Sequence, residues 1–182
     1  MSDLIETEVK IRVSSFAHVR NRLIQLGAAQ RGIHHLSDTY VDCPGTVSAS
    51  IALRVRESVG EQGGDELTLK TSTGADPHVT SRREVNVGLS DAAAMREILS
   101  ALGFRVSAHI DKVREMFLLA DLPVYLDSVE GLGQFVEIGA PVRPEGVSNM
   151  RERIREAVQA LGLGEHVPAS KSYFEMKVES NS

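Results

Sequence analysis

Seven stretches of the chain alternate between apolar and charged or polar residues, and this alternation constrains the fold more than any other feature. Residues 4–13, LIETEVKIRV, place their charged side chains on one side of the chain and Ile and Val on the other. A period of two residues predicts β-strands with one apolar face. The same pattern occurs in residues 50–57, 66–70, 81–87, 109–119, 123–129 and 134–138, and residues 36–42 add a predicted eighth strand.

Three other segments carry apolar residues at helical spacing and end at a glycine, as helices commonly do. The predicted helices are residues 15–26, 91–102 and 147–161, followed by Gly27, Gly103 and Gly162. The strands and helices alternate without a linker long enough to separate two domains. We therefore expect one domain over residues 1–182, with a C-terminal helical segment at about 147–177.

The helices need the apolar faces of the strands as a packing surface, and this requirement leaves the charged faces without a partner. An open antiparallel sheet with one solvated face is the simplest alternative. If the sheet closes, its charged faces meet inside, and eight strands leave room for side chains or one small ligand. The prediction is an α+β fold in which an eight-stranded antiparallel β-barrel forms a tunnel with helices packed on the outside.

Composition excludes several classes of protein. The chain has 182 residues with 20 Lys and Arg against 25 Asp and Glu, a net charge of −5, which disfavours nucleic-acid binding. No apolar run reaches the length of a membrane-spanning helix, and the first residues lack the features of a signal peptide. The single cysteine, Cys43, excludes an internal disulfide. We expect a cytoplasmic protein that binds neither nucleic acid nor membrane, as a monomer or a homodimer.

The charged faces of the predicted strands are richer in basic than in acidic residues, although the whole chain is acidic. Basic side chains inside low-dielectric walls attract an anion, and Arg and Lys bind phosphate oxygens well. Carboxylates in the same space favour hard cations such as Mg²⁺ or Mn²⁺, so the pattern suggests a metal–polyphosphate site. The basic members are Lys10, Arg12, Arg54, Arg56, Lys70, Arg82, Lys112 and Arg114, and the acidic members are Glu6, Glu8, Glu84, Asp127 and Glu137.

An ordered series of motifs over nearly the whole chain resembles the CYTH, or triphosphate tunnel metalloenzyme, superfamily. The motifs are Glu6-Thr7-Glu8-Val9-Lys10, Asp38-Thr39-Tyr40-Val41-Asp42, Leu53-Arg54-Val55-Arg56, Leu67-Thr68-Leu69-Lys70, Arg82-Arg83-Glu84, Lys112-Val113-Arg114 and the stretch 126–138, LDSVEGLGQFVEI. Within the superfamily the chain is most similar to the class IV adenylyl cyclase branch. The resemblance implies an eight-stranded antiparallel tunnel with outer helices, which agrees with the periodicity.

The resemblance also implies roles for individual residues. It makes Glu6, Glu8, Asp127 and Glu137 ligands of Mg²⁺ or Mn²⁺, with Glu84 in the same acidic group. It makes Lys10, Arg54, Arg56, Lys70, Arg82, Lys112 and Arg114 the residues that hold the phosphates, and these twelve residues together form the expected catalytic site. Lys171 either reaches a phosphate or is an ordinary surface lysine, and Tyr40 either lines the tunnel or is an ordinary strand aromatic.

Three functions are compatible with these predicted metal-binding and phosphate-binding residues. The first is a cyclase that converts ATP to cyclic AMP and pyrophosphate, and the second is a triphosphatase acting on inorganic, thiamine or nucleoside triphosphate. The third is a non-catalytic binder of polyphosphate or nucleotide. Family members often have Glu-x-Glu where this chain reads Glu137-Ile138-Gly139, and this departure leaves open whether one or two metal ions bind.

Overall fold

A computed structural model describes residues 4–42, 51–59, 64–72 and 79–180, which form eight strands and four α-helices. The chain begins with β1 (Ile5–Val13), α1 (Ala17–Gln25), β2 (Ala29–Asp42), β3 (Ile51–Val59), β4 (Asp65–Ser72) and β5 (Thr80–Leu89). It continues with α2 (Ala92–Ala101), β6 (Arg105–Leu119), β7 (Leu122–Val129), β8 (Gly133–Val142), a 3₁₀ turn (Pro144–Gly146), α3 (Val147–Ala160) and α4 (Tyr173–Ser180). Cys43 lies outside the described residues.

The strands pair in the order β1-β5-β4-β3-β2-β6-β7-β8, and β8 pairs in turn with β1. Every pairing is antiparallel, so each strand has a hydrogen-bonded neighbour on both sides. The predicted antiparallel sheet of eight strands with helices is thus confirmed. Most strands match their predicted ranges closely, but β2 and β6 begin well before the residues that the alternation indicates.

The apolar core lies between the outer faces of the strands and the helices. The largest cluster joins α1 and α3 to β1, β7 and β8 through side chains such as Ile11, Leu23, Val124, Ile138 and Ile154, all at most 1% exposed. A separate cluster places α2 on β2 and β3. Because the helices cover the apolar side of the sheet, the charged side of each strand faces the inside of the ring.

The C-terminal part of the chain is two helices, and the first of them, α3, matches the helix predicted for residues 147–161. Helix α3 ends at Ala160, and Gly162 follows with φ of 72°, a left-handed conformation that glycine adopts without strain. The chain then crosses β1, where Ala169 donates a backbone hydrogen bond to Lys10. Helix α4 finally packs at one end of the ring, with Tyr173 against Phe135 and Ile110. Among the described residues, no helix is both long enough and apolar enough to cross a membrane.

Candidate active site

The strands enclose a cavity of about 210 Å³, lined by residues from all eight strands and by Ser172 and Tyr173 at the start of α4. Alternation explains the lining, because every second residue of a strand points to the same face. Eleven of the twelve residues predicted to form the catalytic site line this cavity. They are Glu6, Glu8, Lys10, Arg54, Arg56, Lys70, Arg82, Glu84, Lys112, Arg114 and Glu137.

One ion-pair network crosses β1, β8 and β6. The Lys10 ammonium and the Arg114 guanidinium both donate to the Glu137 carboxylate, and Lys10 Nζ also lies 3.5 Å from Glu8 Oε1. Burial alone lowers the pKa of Lys10, but the charges of Glu137 and Glu8 outweigh burial and raise it above its ordinary value. Lys10 therefore stays charged at neutral pH although only 7% of it is exposed.

A second network joins β2 to β3. Arg56 donates from Nε and Nη2 to the two oxygens of Asp38, at 2.6 and 2.7 Å, in a bidentate pair. Arg54 Nη1 lies 3.7 Å from the same carboxylate, and Arg54 Nη2 donates to Thr68 at 2.9 Å. Burial raises the pKa of Asp38, but Arg54 and Arg56 together lower it well below its ordinary value. Arg54 Nε is buried and has no hydrogen-bond partner among the described residues.

The third network lies between β1, β4 and β5. Lys70 donates to Glu6 and lies 3.3 Å from Glu84, and these three residues line the cavity beside Glu8. The pKa of Glu8 is raised, chiefly by burial, while Lys10 opposes the shift and the charges of Glu6 and Glu137 add to it. Glu8 is therefore a carboxylate whose negative charge the surrounding protein compensates incompletely.

Asp127 does not line the cavity with the other predicted residues. It is fully buried behind the lining, where it accepts from Lys112 at 3.1 Å and from Arg114 at 2.6 and 2.7 Å. The Tyr173 hydroxyl donates a further hydrogen bond to it at 3.1 Å. These donors occupy both carboxylate oxygens, so Asp127 is a counter-ion of Lys112 and Arg114 in the structure, and its role as a metal ligand stays a prediction.

Two other residues that the sequence suggested for the site, Arg12 and Lys171, do not line the cavity. Arg12 is exposed at the end of β1, where it donates to the Leu132 carbonyl and lies over the Phe135 ring instead of lining the cavity. Lys171 is also exposed and donates to Glu179 at 2.5 Å, so it matches the surface-lysine alternative.

Helix α4 brings aromatic residues to one end of the cavity. Lys10 and Lys112 lie over the Tyr173 ring, 4.2 and 4.9 Å from its centroid, which adds cation–π attraction to their ion pairs. Phe174 stacks on Tyr40 with ring centroids 4.9 Å apart, so the motif tyrosine does line the cavity but is covered by α4. Arg82 lies 3.7 Å from Glu175 on the same helix.

Sequence reasoning missed several lining residues, namely Asp38, Glu66, Asn86, Tyr125 and Tyr173. Asp38 stands within one of the motifs. Glu66 and Asn86 could have been found by following the alternation of inward and outward side chains along β4 and β5. Their inclusion changes the charge of the site. Seven Lys and Arg residues face six Asp and Glu residues in the lining, so the basic excess is smaller than the sequence count suggested.

The chemistry of the donor set is compatible with a hard divalent cation. Glu6, Glu8 and Glu137 present oxygen donors to one cavity, and a bound cation would compensate the charge of Glu8. In the described residues, however, no group of three or more His, Cys, Asp or Glu side chains is arranged to hold a metal ion. The present partners of these carboxylates are Lys10, Lys70 and Arg114.

Gly139 is the residue at which the resemblance described above led us to expect a second glutamate. A Cβ at this residue would overlap the Thr7 carbonyl oxygen and lie 2.6 Å from Glu8 Cα. The backbone of β1 therefore fills the space that a side chain would need, and in this chain Glu8 is the carboxylate next to that position.

The model of the CYTH domain family matches residues 4–173, which include every strand and the first residue of α4. This chain belongs to the CYTH domain family. The CYTH domain thus comprises the ring, its charged interior and the start of the helix that packs at one end.

Similar proteins match over almost their whole length. A protein of Methanocaldococcus jannaschii named "Putative adenylate cyclase" is 28% identical over 177 residues, which cover 96% of this CYTH chain and 99% of the relative. The solved structure of the PH1012 protein from Pyrococcus horikoshii superposes with a TM-score of 0.81 at 28% identity, over 93% of this chain and 98% of that one.

A more distant CYTH-like structure shows the same fold. It is a Hippeastrum protein named "Putative adenylyl cyclase" and described as having a dominant triphosphatase activity. It superposes with a TM-score of 0.67 at 19% identity, over 97% of this chain and 96% of that one.

Proposed function

We propose that this protein is a metal-dependent phosphoryl-transfer enzyme that acts on triphosphates, most like the class IV adenylyl cyclases that convert ATP to cyclic AMP and pyrophosphate. The observation that carries the proposal is the cavity in which seven Lys and Arg side chains from five strands converge. Such a set binds a chain of phosphates from several sides at once, and no nucleophilic side chain is required.

Several cations in the lining are already held in position by a carboxylate. Arg56 is fixed by Asp38, Lys70 by Glu6, and Lys10 by Glu137. Held side chains lose little further conformational entropy when a ligand binds, so the positions of the phosphate oxygens are set in advance. The Nε of Arg54, buried without a partner among the described residues, is a donor that a phosphate oxygen in the cavity would satisfy.

The near balance of charge in the lining is the argument for a metal ion. A triphosphate carries several negative charges, and an excess of one basic residue in the lining does not neutralise them. We infer that Glu6, Glu8 and Glu137 hold Mg²⁺ or Mn²⁺ when substrate is bound. The ion would supply charge neutralisation on the phosphate oxygens.

The cyclase reaction needs the ribose 3′-hydroxyl placed in line with the α-phosphorus and the leaving pyrophosphate. The chain's own groups would bind and orient the polyphosphate, and Lys10, Arg54 and Arg56 would stabilise the charge that builds on the leaving group. Lys112 and Arg114, which also line the cavity, are anchored by Asp127. This rigid arrangement favours one orientation of the phosphate chain.

A triphosphatase is the second candidate, favoured by the small volume of the cavity. A space of about 210 Å³ surrounded by charged groups suits a compact inorganic triphosphate without requiring a nucleoside. Here a water molecule attacks the terminal phosphorus, and the same basic residues stabilise the developing charge.

One assay separates these reactions. The protein is incubated with ATP, inorganic triphosphate and thiamine triphosphate, each with Mg²⁺, with Mn²⁺ and with a chelator, while cyclic AMP, pyrophosphate and orthophosphate are followed. Cyclic AMP with equimolar pyrophosphate supports the cyclase, and orthophosphate supports the triphosphatase. Saturable binding without any product would contradict both and leave a polyphosphate or nucleotide binder.

A further inference from the structure

Part of the outer side of the ring, on β4 and β5, carries apolar side chains that stay exposed to solvent. In the strand pairing, Leu69 of β4 lies directly opposite Val85 of β5, and Leu67 lies opposite Val87. Ile51 of β3 is a diagonal neighbour of Leu69 on the same face. Because residues two apart on a strand share a face, these side chains form one continuous apolar surface.

Helix α2 borders this surface and extends it. The helix runs from the end of β5 to the start of β6 and crosses β4 and β3 on the way. Leu99 is buried against the sheet, and Arg96 on one flank donates to Glu57 of β3 at 3.0 Å. With about 3.6 residues per turn, Ile98 and Leu102 lie on the other flank, which faces the open area of β4 and β5.

We call this surface the outer patch, and its members, 37–67% exposed, are Ile51, Leu69, Val85, Val87, Ile98 and Leu102. Their exposed area amounts to roughly 500 Å², towards the upper end of the apolar patches that monomeric proteins carry. A stable homodimer buries about 800 Å² on each partner, and about two thirds of the interface of a homodimer is apolar. The outer patch therefore has the size of the apolar part of one such interface.

Charged residues lie at the two ends of the outer patch, with opposite signs. Arg83 is exposed on β5, two residues before Val85, and marks the basic end. Asp91 and Glu97 are exposed on the first half of α2 and mark the acidic end. When a two-fold axis lies in the interface across the strands, the basic end of one copy meets the acidic end of the other. A uniformly acidic or basic partner would instead meet its own sign at one end.

We propose that the outer patch is the interface of a homodimer, in which β4, β5 and α2 of one copy pack on the same elements of a second copy. The faces of two sheets pack by interdigitating their side chains, and the exposed Val and Leu residues of β4 and β5 suit such packing. The inference does not depend on the proposed function, because the outer patch lies on the side of the strands that faces away from the cavity.

The test is sedimentation equilibrium of the full chain over a range of micromolar concentrations, where the parent should show a reversible equilibrium between monomer and dimer. Val87→Asp puts a charge into the middle of the outer patch, and the dissociation constant of the dimer should rise by about 100-fold or more. The matched control is Ile33→Asp, on β2, three strands away from β5 in the ring. Ile33 is 56% exposed against 54% for Val87, and its replacement should leave the dissociation constant unchanged.

Two further variants test the orientation and the packing. Arg83→Glu places an acidic residue against the acidic end of the other copy, so the dissociation constant should rise about tenfold, and less at high salt. The double variant Val85→Thr, Val87→Thr keeps the β-branched shape of both side chains but makes them polar, and it should weaken the dimer about tenfold. Circular dichroism and urea unfolding show that each variant is folded.

A parent that stays monomeric at every concentration overturns the proposal. An assembly that grows beyond the dimer also overturns it, because a two-fold interface closes on itself. Equal effects of Val87→Asp and Ile33→Asp, or equal dissociation constants for the parent and the double threonine variant, place the contact elsewhere and contradict the outer patch. If Val87→Asp does not fold, Arg83→Glu and the double threonine variant decide the question.

Discussion

Glu8 is a half-buried carboxylate that shares the cavity with Glu6 and Glu137, and its compensation by Lys10 is incomplete. Its pKa is raised chiefly by burial, so the folded protein stabilises the charged form of this side chain less well than water does. A charge that function needs at such an unfavourable position is typical of a site where stability is given up for activity.

Replacing Glu8 by glutamine should therefore separate activity from stability. Glu8→Gln keeps the shape but removes the charge, and we expect metal-dependent turnover of triphosphate to fall at least 100-fold, beyond the roughly 10–100-fold typical of outer-shell partners. The free energy of unfolding, measured in urea, should stay the same or rise. Glu152→Gln, at an exposed ion pair on α3, is the control and should change neither quantity. Unchanged turnover in Glu8→Gln would remove this residue from the site.

Lys112 gives the site a pH dependence. Burial, together with the charge of Arg114 and more weakly that of Arg56, lowers its pKa to about 8, while Asp127 and Glu137 oppose the shift. The Tyr173 ring also faces this ammonium group. Below pH 8 the side chain is charged and can attract phosphate, and above pH 8 it becomes neutral.

The profile of kcat/KM against pH reports groups of the free enzyme, so it should fall as the pH rises through about 8. In Lys112→Arg this fall should disappear, because arginine stays protonated over the whole range. The free energy of unfolding of the parent protein should instead rise with pH, because the lysine in the unfolded chain stays protonated up to about pH 10.5. The unfavourable contribution of Lys112 to the free energy of unfolding should therefore shrink between about pH 8 and 10.5. A fall in kcat/KM that persists at the same pH in Lys112→Arg would contradict this assignment.

At the scale of elements, α4 is held at the ring through Tyr173. The hydroxyl donates to Asp127, the ring packs edge-on against Phe135 at 5.0 Å between centroids, and Lys10 and Lys112 contact its face. The helix has only eight residues and would not be stable alone. Its folding therefore depends on these contacts.

Two substitutions at Tyr173 should separate the hydrogen bond from the packing. Tyr173→Phe removes only the hydroxyl, and since Asp127 keeps Lys112 and Arg114, we expect a loss of about 1 kcal/mol in the free energy of unfolding. Tyr173→Ala removes the ring and should cost about 3 kcal/mol or more. Hydrogen exchange in α4 should accelerate strongly in Tyr173→Ala and little in Tyr173→Phe, while the strands stay protected. Equal exchange in α4 for parent and Tyr173→Ala would show that the helix is held elsewhere.

The elements also show what sequence periodicity can and cannot predict. Charged and apolar residues alternate in β1 and β3, so these strands and their inner faces were predictable. The first half of β2, AQRGIHH, has no such alternation, and its strand structure depends on pairing with β6. Helix α4 is shorter than the window over which periodicity is measured.

The same limit applies to the candidate site. Parity along a strand predicts which face a side chain belongs to, and it correctly placed Arg56 and Lys112 inside. It does not predict depth, which depends on where the ring ends. Arg12 shares the parity of Lys10 but lies at the end of β1 and turns outward, whereas Asp127 shares the parity of the lining but lies behind it.

At the scale of the whole molecule, the ion pairs of the interior are weak support for stability. Removing paired charges from water has a large unfavourable free energy, and apolar replacements of such pairs often stabilise a protein. The stability of this fold must come instead from the apolar clusters outside the ring and from closure of the sheet. Closure removes the free edges that an open eight-stranded sheet would present.

The pairing of β1 with β8 completes this closure, and Gly139 lies within it, opposite Glu8. Because a Cβ at Gly139 would overlap the Thr7 carbonyl oxygen and crowd Glu8, Gly139→Ala has to push the two strands apart. We expect the free energy of unfolding in urea to fall by about 3 kcal/mol, the upper end of the loss that overfilling a well-packed site typically causes. Gly88→Ala is the matched control, since no atom lies within 4 Å of the position that its Cβ would take, and it should change stability by about 1 kcal/mol at most. Equal unfolding midpoints for the two variants would show that β1 and β8 can separate at little cost, and the ring would then not depend on close contact at this residue.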